Sequence, residues 1–293
     1  MRVVVAVTAA ALVASVASIA GASPQQSTAQ HVTVIGDSVA EGMSGDADAV
    51  AILTQGIDLG LETAPCRRVD GDSCPYEGVR VPTLVELAKT LGPKLGPNVV
   101  IAVGYNDFES AYAQNIRAAL TTLKAQGVKQ VWWLTLRAAR HPLVNMNDDI
   151  EAAAAAHPEL DVIDWNLYSR SHPDWFQDDG LHLLAPGSEA MATLIHKTLV
   201  DDGIAAAPVR VTTTAVPVAK RGRPYSTTLA ASAGVTPYRW SLLERAPAGI
   251  HLRANGLVVG NPRARPGRYA FDVRVRDSSG YAATRRLTLR VRA

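Results

Sequence analysis

The chain has 293 residues, of which 47% are hydrophobic and 19% charged, so it is too apolar to be disordered and long enough for about two domains. Two cysteines exclude a disulfide-dense scaffold and a zinc ribbon, and 22 Gly with 17 Pro in no repeat exclude a collagen-like chain. The net charge of +2 hides a strong asymmetry. Residues 23–208 carry 12 basic and 24 acidic side chains, whereas residues 209–293 carry 16 basic and three acidic ones. This reversal predicts a domain boundary near residue 208 and two parts that attract each other or face different partners.

The first 22 residues are typical of a secretory signal peptide. Arg2 precedes an unbroken run of small apolar residues, which ends in Ala20-Gly21-Ala22, an A-x-A cleavage pattern. An uncleaved membrane anchor is the alternative. No later segment is apolar enough to span a bilayer, so we expect a secreted, extracellular protein, either free or associated with the cell wall, with no transmembrane segment in the mature chain.

Strand and helix patterns alternate between the signal region and residue 205. Short apolar runs rich in β-branched and aromatic residues predict buried strands at residues 31–36, 98–104, 130–136 and 160–165, with a weaker one at 57–63. Helical spacing of apolar residues predicts helices at 81–92, 112–127, 148–157 and 186–200. Because parallel strands need crossover connections, this alternation predicts an open parallel sheet with helices on both faces.

The rest of the chain has no helical period. Residues 206–223 form a connector rich in Pro and Thr, and short alternating runs split by Gly, Pro, Asn and Asp follow it. We therefore predict a signal peptide over residues 1–22, a catalytic domain over 23–205, a linker and first-strand region over 206–223, and a small all-β sandwich over 224–293.

Three short motifs follow predicted strands or precede the last predicted helix. Gly36-Asp37-Ser38 places a serine at a tight strand-to-helix turn, which suits a nucleophile but is equally the composition of an ordinary helix cap. In Gly104-Tyr105-Asn106-Asp107, Asn106 can donate an N–H to an oxyanion, although Asn and Asp are also common turn formers.

The third motif is Asp179-Gly180-Leu181-His182. His182 can take a proton from a serine, and the carboxylate of Asp179 can fix the imidazole tautomer; a surface His beside acidic residues needs no function by itself.

Together and in this order, the three motifs resemble those of SGNH (GDSL-like) serine hydrolases, and the resemblance covers about residues 31–201. It implies a three-layer αβα, flavodoxin-like sandwich with a parallel sheet. It also implies that Ser38 is the nucleophile, that Asp179 and His182 complete a catalytic triad, and that Ser38, a glycine and Asn106 form the oxyanion hole. Gly78, which immediately precedes the helix predicted from residue 81, is assigned as that glycine in preference to Gly71.

Cys66 and Cys74 flank the same loop. In an exported protein two cysteines eight residues apart are expected to form a disulfide, which would hold the loop in place. The remaining histidines are scattered without ligand spacing, so we expect no metal site and no cofactor.

The activity implied by the resemblance is hydrolysis of a carboxylic ester through an acyl-enzyme. The same residues also serve lipases, carbohydrate O-acetyl esterases and O-acyltransferases, so an acylated carbohydrate and a lipid are both candidate substrates. A wall-binding or adhesion protein with an SGNH fold and no turnover is the alternative.

The C-terminal segment resembles bacterial immunoglobulin-like or cadherin-like modules, on residues such as 237–241, 246–250, 260–262 and 267–271. Its strong positive charge predicts a surface for an anionic cell-wall polymer. Docking of its Arg-rich strands on the acidic domain is the alternative. Nucleic acid is not expected as a partner, because no aromatic platform accompanies the arginines.

Overall fold

The computed structural model of the protein describes residues 29–138 and 141–293. The predicted signal peptide, residues 1–22, lies outside these ranges. Within them, no helix combines the length and the hydropathy that a membrane crossing requires.

The N-terminal part contains seven strands in its described residues. They are β1 (Gln30–Gly36), β2 (Ile57–Thr63), β3 (Pro75–Tyr76), β4 (Val79–Arg80), β5 (Asn98–Ala102), β6 (Gln130–Leu134) and β7 (Leu160–Ile163). Five of these strands form one parallel sheet in the order β2-β1-β5-β6-β7. Chain order reverses at β1, with β2 on one side and β5 on the other. Parallel sheets bind ligands beyond the carboxyl ends of the strands at such a reversal.

The described residues of the N-terminal part also form seven α-helices and two short 3-10 turns. The helices are α1 (Ser38–Ser44), α2 (Ala47–Leu53), α3 (Leu84–Leu91), α4 (Glu109–Ala125), α5 (Leu143–Ala156), α6 (Trp165–Ser169) and α7 (Ala185–Asp201), and the 3-10 turns are Gly92–Leu95 and Pro173–Trp175.

Alternate residues of the central strands enter two separate cores. On β5, Val100 packs with residues of α1, α2 and α7 on one face, whereas Val99 and Ile101 pack with residues of α3, α4 and α5 on the other. The adjacent Trp132 and Trp133 of β6 divide in the same way, and both are buried. The three-layer αβα sandwich is therefore confirmed, with central strands that are mostly apolar because both faces are covered.

The structure adds elements that the sequence patterns did not indicate. Helix α2 and the β3–β4 hairpin lie between predicted elements, and α5 begins at Leu143, five residues before the predicted start. The predicted Cys66–Cys74 disulfide is present, with 5.2 Å between the Cα atoms.

The C-terminal part is built only from strands in its described residues. They are β8 (Arg210–Val211), β9 (Ala219–Lys220), β10 (Tyr225–Thr228), β11 (Ala231–Ser232), β12 (Arg239–Leu242), β13 (Ile250–Leu252), β14 (Leu257–Gly260), β15 (Gly267–Arg276) and β16 (Ala282–Arg292). One sheet has the order β12-β15-β16-β9, a second has the order β10-β14-β13, and β11 pairs with β8.

These sheets enclose one hydrophobic core, as predicted for a small all-β sandwich. Trp240, Phe271 and Leu287 are buried at its centre. Strands β8 and β9 lie within residues 206–223, the predicted linker and first-strand region, and they pair with β11 and β16.

The two parts meet at a few polar contacts. The Tyr281 hydroxyl lies 2.6 Å from His196 Nε2 of α7, and the Ala206 N–H donates to the Gly56 carbonyl. Burial lowers the pKa of His196 and therefore favours its neutral form. None of the ion pairs among the described residues joins residues 29–205 to residues 206–293. Docking of the basic domain on the acidic one by salt bridges finds no support in these contacts.

Truncation of Phe271 is expected to destabilise the C-terminal domain. Phe271 is 1% exposed, so Phe271→Ala removes a ring from a packed core, and we expect a loss of about 3–5 kcal/mol in the free energy of unfolding. Leu243, which is 52% exposed in the same domain, provides the control, with an expected change within about 0.5 kcal/mol. Urea denaturation followed by circular dichroism measures both. Equal effects of the two substitutions would contradict this core.

Candidate active site

A buried carboxylate organises the carboxyl ends of β1 and β5. Asp37 is fully buried and caps α1, accepting the Val39 N–H on one oxygen. Its other oxygen accepts the N–H groups of Gly104 and Tyr105, each at 3.1 Å. Burial raises the pKa of Asp37 to about 6, because it disfavours the charged form more strongly than the three hydrogen bonds favour it. The end of β1 and the turn after β5 are thereby held together.

Ser38 directly follows this carboxylate as the first residue of α1. Gly36 permits the tight strand-to-helix turn, because a Cβ at this position would lie only 2.4 Å from the Ala40 Cβ. The Ser38 side chain is half-buried, and its Oγ lies 3.0 Å from His182 Nε2. The predicted nucleophile is therefore in hydrogen-bond contact with the predicted base.

Asp179 holds the imidazole of His182 from the opposite side. The distance from Asp179 Oδ2 to His182 Nδ1 is 2.6 Å. The other oxygen of Asp179 accepts the backbone N–H groups of Leu181 and His182, so the carboxylate is fixed in place. The hydrogen bond to His182 and these N–H donors lower the pKa of Asp179 to about 2. An ionised Asp179 favours the tautomer with a proton on Nδ1, which leaves Nε2 free to accept the Ser38 proton.

Asn106 lies in the turn after β5, with its side chain against a loop of residues 66–69. Its Nδ2 donates to the Arg67 carbonyl at 3.2 Å. The neighbouring Asp107 accepts the Val69 N–H and the Asn115 amide, and burial raises the pKa of Asp107 to about 6. The turn and the 66–69 loop are thus joined by two adjacent side chains.

The 66–69 loop is also fixed to the nucleophile turn. The buried Arg67 donates from Nε to the Gly36 carbonyl at 3.1 Å and from Nη1 to the Pro82 carbonyl at 2.9 Å. The backbone N–H groups of Cys66 and Arg67 have no acceptor among the described residues, and the same holds for the Ser38 N–H.

Gly78, the glycine assigned from the sequence to the oxyanion hole, lies at the tip of the β3–β4 hairpin. It is exposed and has φ +80°, and a Cβ there would meet nothing within 4 Å. Glu77 before it also has a positive φ, so the two residues form the left-handed turn that a two-residue hairpin prefers. The left-handed turn accounts for a glycine at this position, and the role of Gly78 in the site stays a prediction.

Sequence reasoning did not find Arg137. Its Nη1 donates to the Gly180 carbonyl at 2.6 Å, inside the loop that carries Asp179 and His182. Its guanidinium lies 3.9 Å from the centre of the Phe176 ring. The Arg137 backbone N–H donates to the Tyr105 hydroxyl at 2.6 Å. Arg137 follows β6 at the same edge of the sheet as the three motifs. Its place just after a predicted strand was the feature of the sequence that could have identified it.

Among the described residues, Asp46, Asp48 and Glu189 form a group of three carboxylates close enough to share a cation. Asp46 already accepts two backbone N–H groups as the cap of α2. None of these three carboxylates takes part in the hydrogen bonds among Ser38, His182 and Asp179.

The parallel sheet flanked by helices, with these motifs at its carboxyl edge, fits an SGNH-type α/β core. An immunoglobulin-like domain follows it. The fold thus agrees with the two resemblances recognised in the sequence.

Residues 207–292 match the family model described as "Putative Ig domain". The chain is also similar to the O-acetyltransferase OatA of Staphylococcus aureus, with 31% identity over 106 residues, which are 36% of this chain and 17% of that protein. A protein of Bacillus subtilis named "Putative peptidoglycan O-acetyltransferase YrhL" is 25% identical over 121 residues, or 40% of this chain and 18% of that protein. The chain spans less than a fifth of the length of these curated relatives.

Two similar solved structures each cover 59% of the chain. One is described as a "putative arylesterase" from Agrobacterium tumefaciens, with a TM-score of 0.47, 16% identity, and coverage of 59% of this chain and 99% of that one. The other is a carbohydrate esterase of family 3 from Talaromyces cellulolyticus, with a TM-score of 0.40, 14% identity, and coverage of 59% and 97%.

Arg137 is expected to position the Asp179–His182 loop. In Arg137→Met the Gly180 carbonyl loses a charged donor, which is worth about 1.5–3 kcal/mol, so the rate at which a fluorophosphonate labels Ser38 should fall about tenfold or more. Arg137→Lys should restore part of this rate, and the exposed Arg170→Met should leave it unchanged. Intact-mass measurements over time give the rates, and their pH dependence separates poor alignment of His182 from loss of folded protein. An unchanged rate in Arg137→Met would exclude this positioning role.

Proposed function

We propose that this protein is an extracellular serine enzyme that cleaves carboxylic esters through an acyl-enzyme on Ser38. The observation that carries the proposal is a chain of two hydrogen bonds. Ser38 Oγ lies 3.0 Å from His182 Nε2, and His182 Nδ1 lies 2.6 Å from Asp179 Oδ2. Such a hydrogen-bonded chain at the carboxyl edge of a parallel sheet has the geometry that nucleophilic catalysis by serine requires.

In the first half-reaction, Ser38 Oγ attacks the ester carbonyl carbon while His182 Nε2 takes the hydroxyl proton. Asp179 stabilises the imidazolium that forms. The bond between the carbonyl carbon and the alcohol oxygen then breaks, and His182 gives its proton to the departing alcohol. In the second half-reaction, His182 takes a proton from water, and the resulting attack releases the acid and restores the Ser38 hydroxyl.

The developing oxyanion needs donors on the side of Ser38 that faces the turn after β5. The Ser38 N–H and the Asn106 amide are two such donors. For the third donor, the sequence resemblance favours Gly78, whereas the hydrogen bonds favour the N–H groups of Cys66 and Arg67. The 66–69 loop contacts both Asn106 and Gly36, and we therefore place the third donor in this loop.

The proposed acyl group is small. The similarity to O-acetyltransferases supports an acetyl group. An O-acetylated carbohydrate is its proposed source.

Acetyl transfer to a glycan hydroxyl is the second candidate, and the similarity to O-acetyltransferases favours it. The two functions share the first half-reaction. They differ only in whether water or a carbohydrate hydroxyl attacks the acetyl-Ser38 carbonyl.

The proposed extracellular location rests on the predicted signal peptide and on the Cys66–Cys74 disulfide. Disulfides persist in oxidising compartments and are rare in the cytosol.

A fluorophosphonate probe is expected to add once to the protein purified without its predicted signal peptide, and the adduct should be absent from Ser38→Ala. Intact-mass spectrometry measures this without knowledge of the substrate. A panel of esters from acetyl upward, with and without a chitooligosaccharide acceptor, then separates hydrolysis from transfer and should show the highest rate with acetyl. No adduct on folded protein would overturn the enzymatic proposal and favour a binding protein without turnover.

Asn106→Ala should lower kcat for the best ester about 100-fold or more, because it removes one oxyanion donor. Gly78→Pro removes the backbone N–H at this exposed hairpin tip, and Gly78→Asn, which keeps that N–H and tolerates the left-handed turn, is the matched control. An unchanged kcat in both variants supports a donor from Cys66 or Arg67, and a loss in Gly78→Pro alone, similar to that of Asn106→Ala, assigns the donor to Gly78. An unchanged rate in Asn106→Ala would show that this amide does not bind the oxyanion.

A further inference from the structure

The two longest strands of the C-terminal domain carry several arginines on one face. Side chains alternate along β15 and β16, and Phe271, Val273, Leu287 and Leu289 point into the core. The residues between them lie on the opposite face of the sheet, because successive side chains of a strand point to opposite faces.

The strand register groups these outward residues into neighbours on adjacent strands. Arg268 pairs with Arg290, and Arg276 pairs with Arg239 of β12. At the end of β16, Arg292 pairs with Lys220 of β9. Directly opposed residues on neighbouring strands are about 5 Å apart, so the cations lie in adjacent rows.

Arg274 and Arg286 complete the set of eight cations, which we call the cationic face. Its only acidic member in these strands is Asp272, whose carboxylate lies 3.8 Å from Arg286. Seven of the eight cations are exposed. The half-buried Arg274 has a buried Nε with no hydrogen-bond acceptor among the described residues. The charge of this face is therefore almost uncompensated within the chain.

The composition of the face identifies the class of ligand. The other outward residues of these four strands are Ser, Thr and Ala, so the face offers no ring for stacking on bases or sugars. Guanidinium groups match phosphate geometry with two parallel hydrogen bonds. Along the strands, Arg274 and Arg276 of β15 and Arg290 and Arg292 of β16 lie two residues, or about 7 Å, apart, a spacing that suits a linear polymer with a repeating phosphate.

We infer that the cationic face binds a linear polyol-phosphate polymer that carries no bases. This binding goes beyond the proposed ester cleavage and does not depend on it. It would hold the enzyme at a surface rich in such a polymer, while the acidic catalytic part stays away from the polyanion. An open groove beside Arg268, Arg290 and Arg292, with a volume of about 460 Å³, extends the face at one end.

The test uses the full chain without its predicted signal peptide and poly(glycerol phosphate) as the probe. Isothermal titration calorimetry over a salt series compares the wild type with Arg268→Gln/Arg276→Gln/Arg290→Gln. The control is Arg245→Gln/Arg253→Gln/Arg263→Gln, which removes the same charge from exposed positions outside the face.

We expect at least a tenfold loss of affinity in the first variant and at most a twofold loss in the control. The slope of log affinity against log salt should also become shallower by about 2 in the first variant, as for three lost phosphate contacts on a single strand. Circular dichroism and hydrolysis of a small soluble ester should be unchanged in both variants, so a failure here is distinct from a failure of the proposed enzyme.

Equal losses in the two variants would mean that net charge rather than this face drives binding, and would overturn the proposal. Equal or tighter binding of polygalacturonate would overturn the assignment to phosphate. Equal binding of single-stranded DNA would overturn the preference for a polymer without bases. Absence of binding to poly(glycerol phosphate) at low salt would exclude the site.

Discussion

The rest of the candidate site depends on the hydrogen bonds that the buried carboxylate of Asp37 accepts. This carboxylate accepts N–H groups from its own helix and from the turn after β5, so it fixes Ser38 relative to Asn106 across two strands. Burying a carboxylate is unfavourable unless it is hydrogen-bonded, and three backbone donors meet that requirement here. Because the donors belong to the backbone, they hold the turn geometry whatever side chains surround it. The raised pKa of Asp37 reflects the free-energy cost of placing a charge at this fully buried position.

A second set of contacts extends this constraint to the acid–base loop. The ring of Tyr105 packs against both hydrophobic cores, and its hydroxyl accepts the Arg137 N–H. Arg137 then reaches the loop of Asp179 and His182 through the Gly180 carbonyl. Ser38, Asn106 and His182 are therefore connected through Tyr105 and Arg137, so their relative positions are fixed by contacts within the protein. Such preorganisation is the general requirement for a site that stabilises developing charge.

Much of the fold could be predicted from the sequence. Strands β1, β5, β6 and β7 are rich in β-branched, aromatic and other apolar residues, as expected for a parallel sheet covered on both faces. The elements that were missed are short: α2 has seven residues, α6 has five, and β3 and β4 have two each, which is too few for a period to be visible. Gly78 shows a different limit. The sequence alone does not distinguish a glycine of an oxyanion hole from a glycine of a hairpin turn; the structure shows the hairpin turn, and the oxyanion role of Gly78 stays a prediction.

By itself, the sequence determined the two-part organisation, the identity of the Ser, Asn, Asp and His residues, and the reversal of charge near residue 208. These follow from residue type and spacing, which the chain carries without folding. The tertiary structure decided which of these residues meet. It brought Ser38 to His182 across 144 positions of sequence, turned six of the seven arginines of β15 and β16 to one face, and placed the 66–69 loop beside Asn106. The reason is physical, because contacts between distant residues depend on strand order, register and buried hydrogen bonds, and none of these can be read from the local pattern around any one residue.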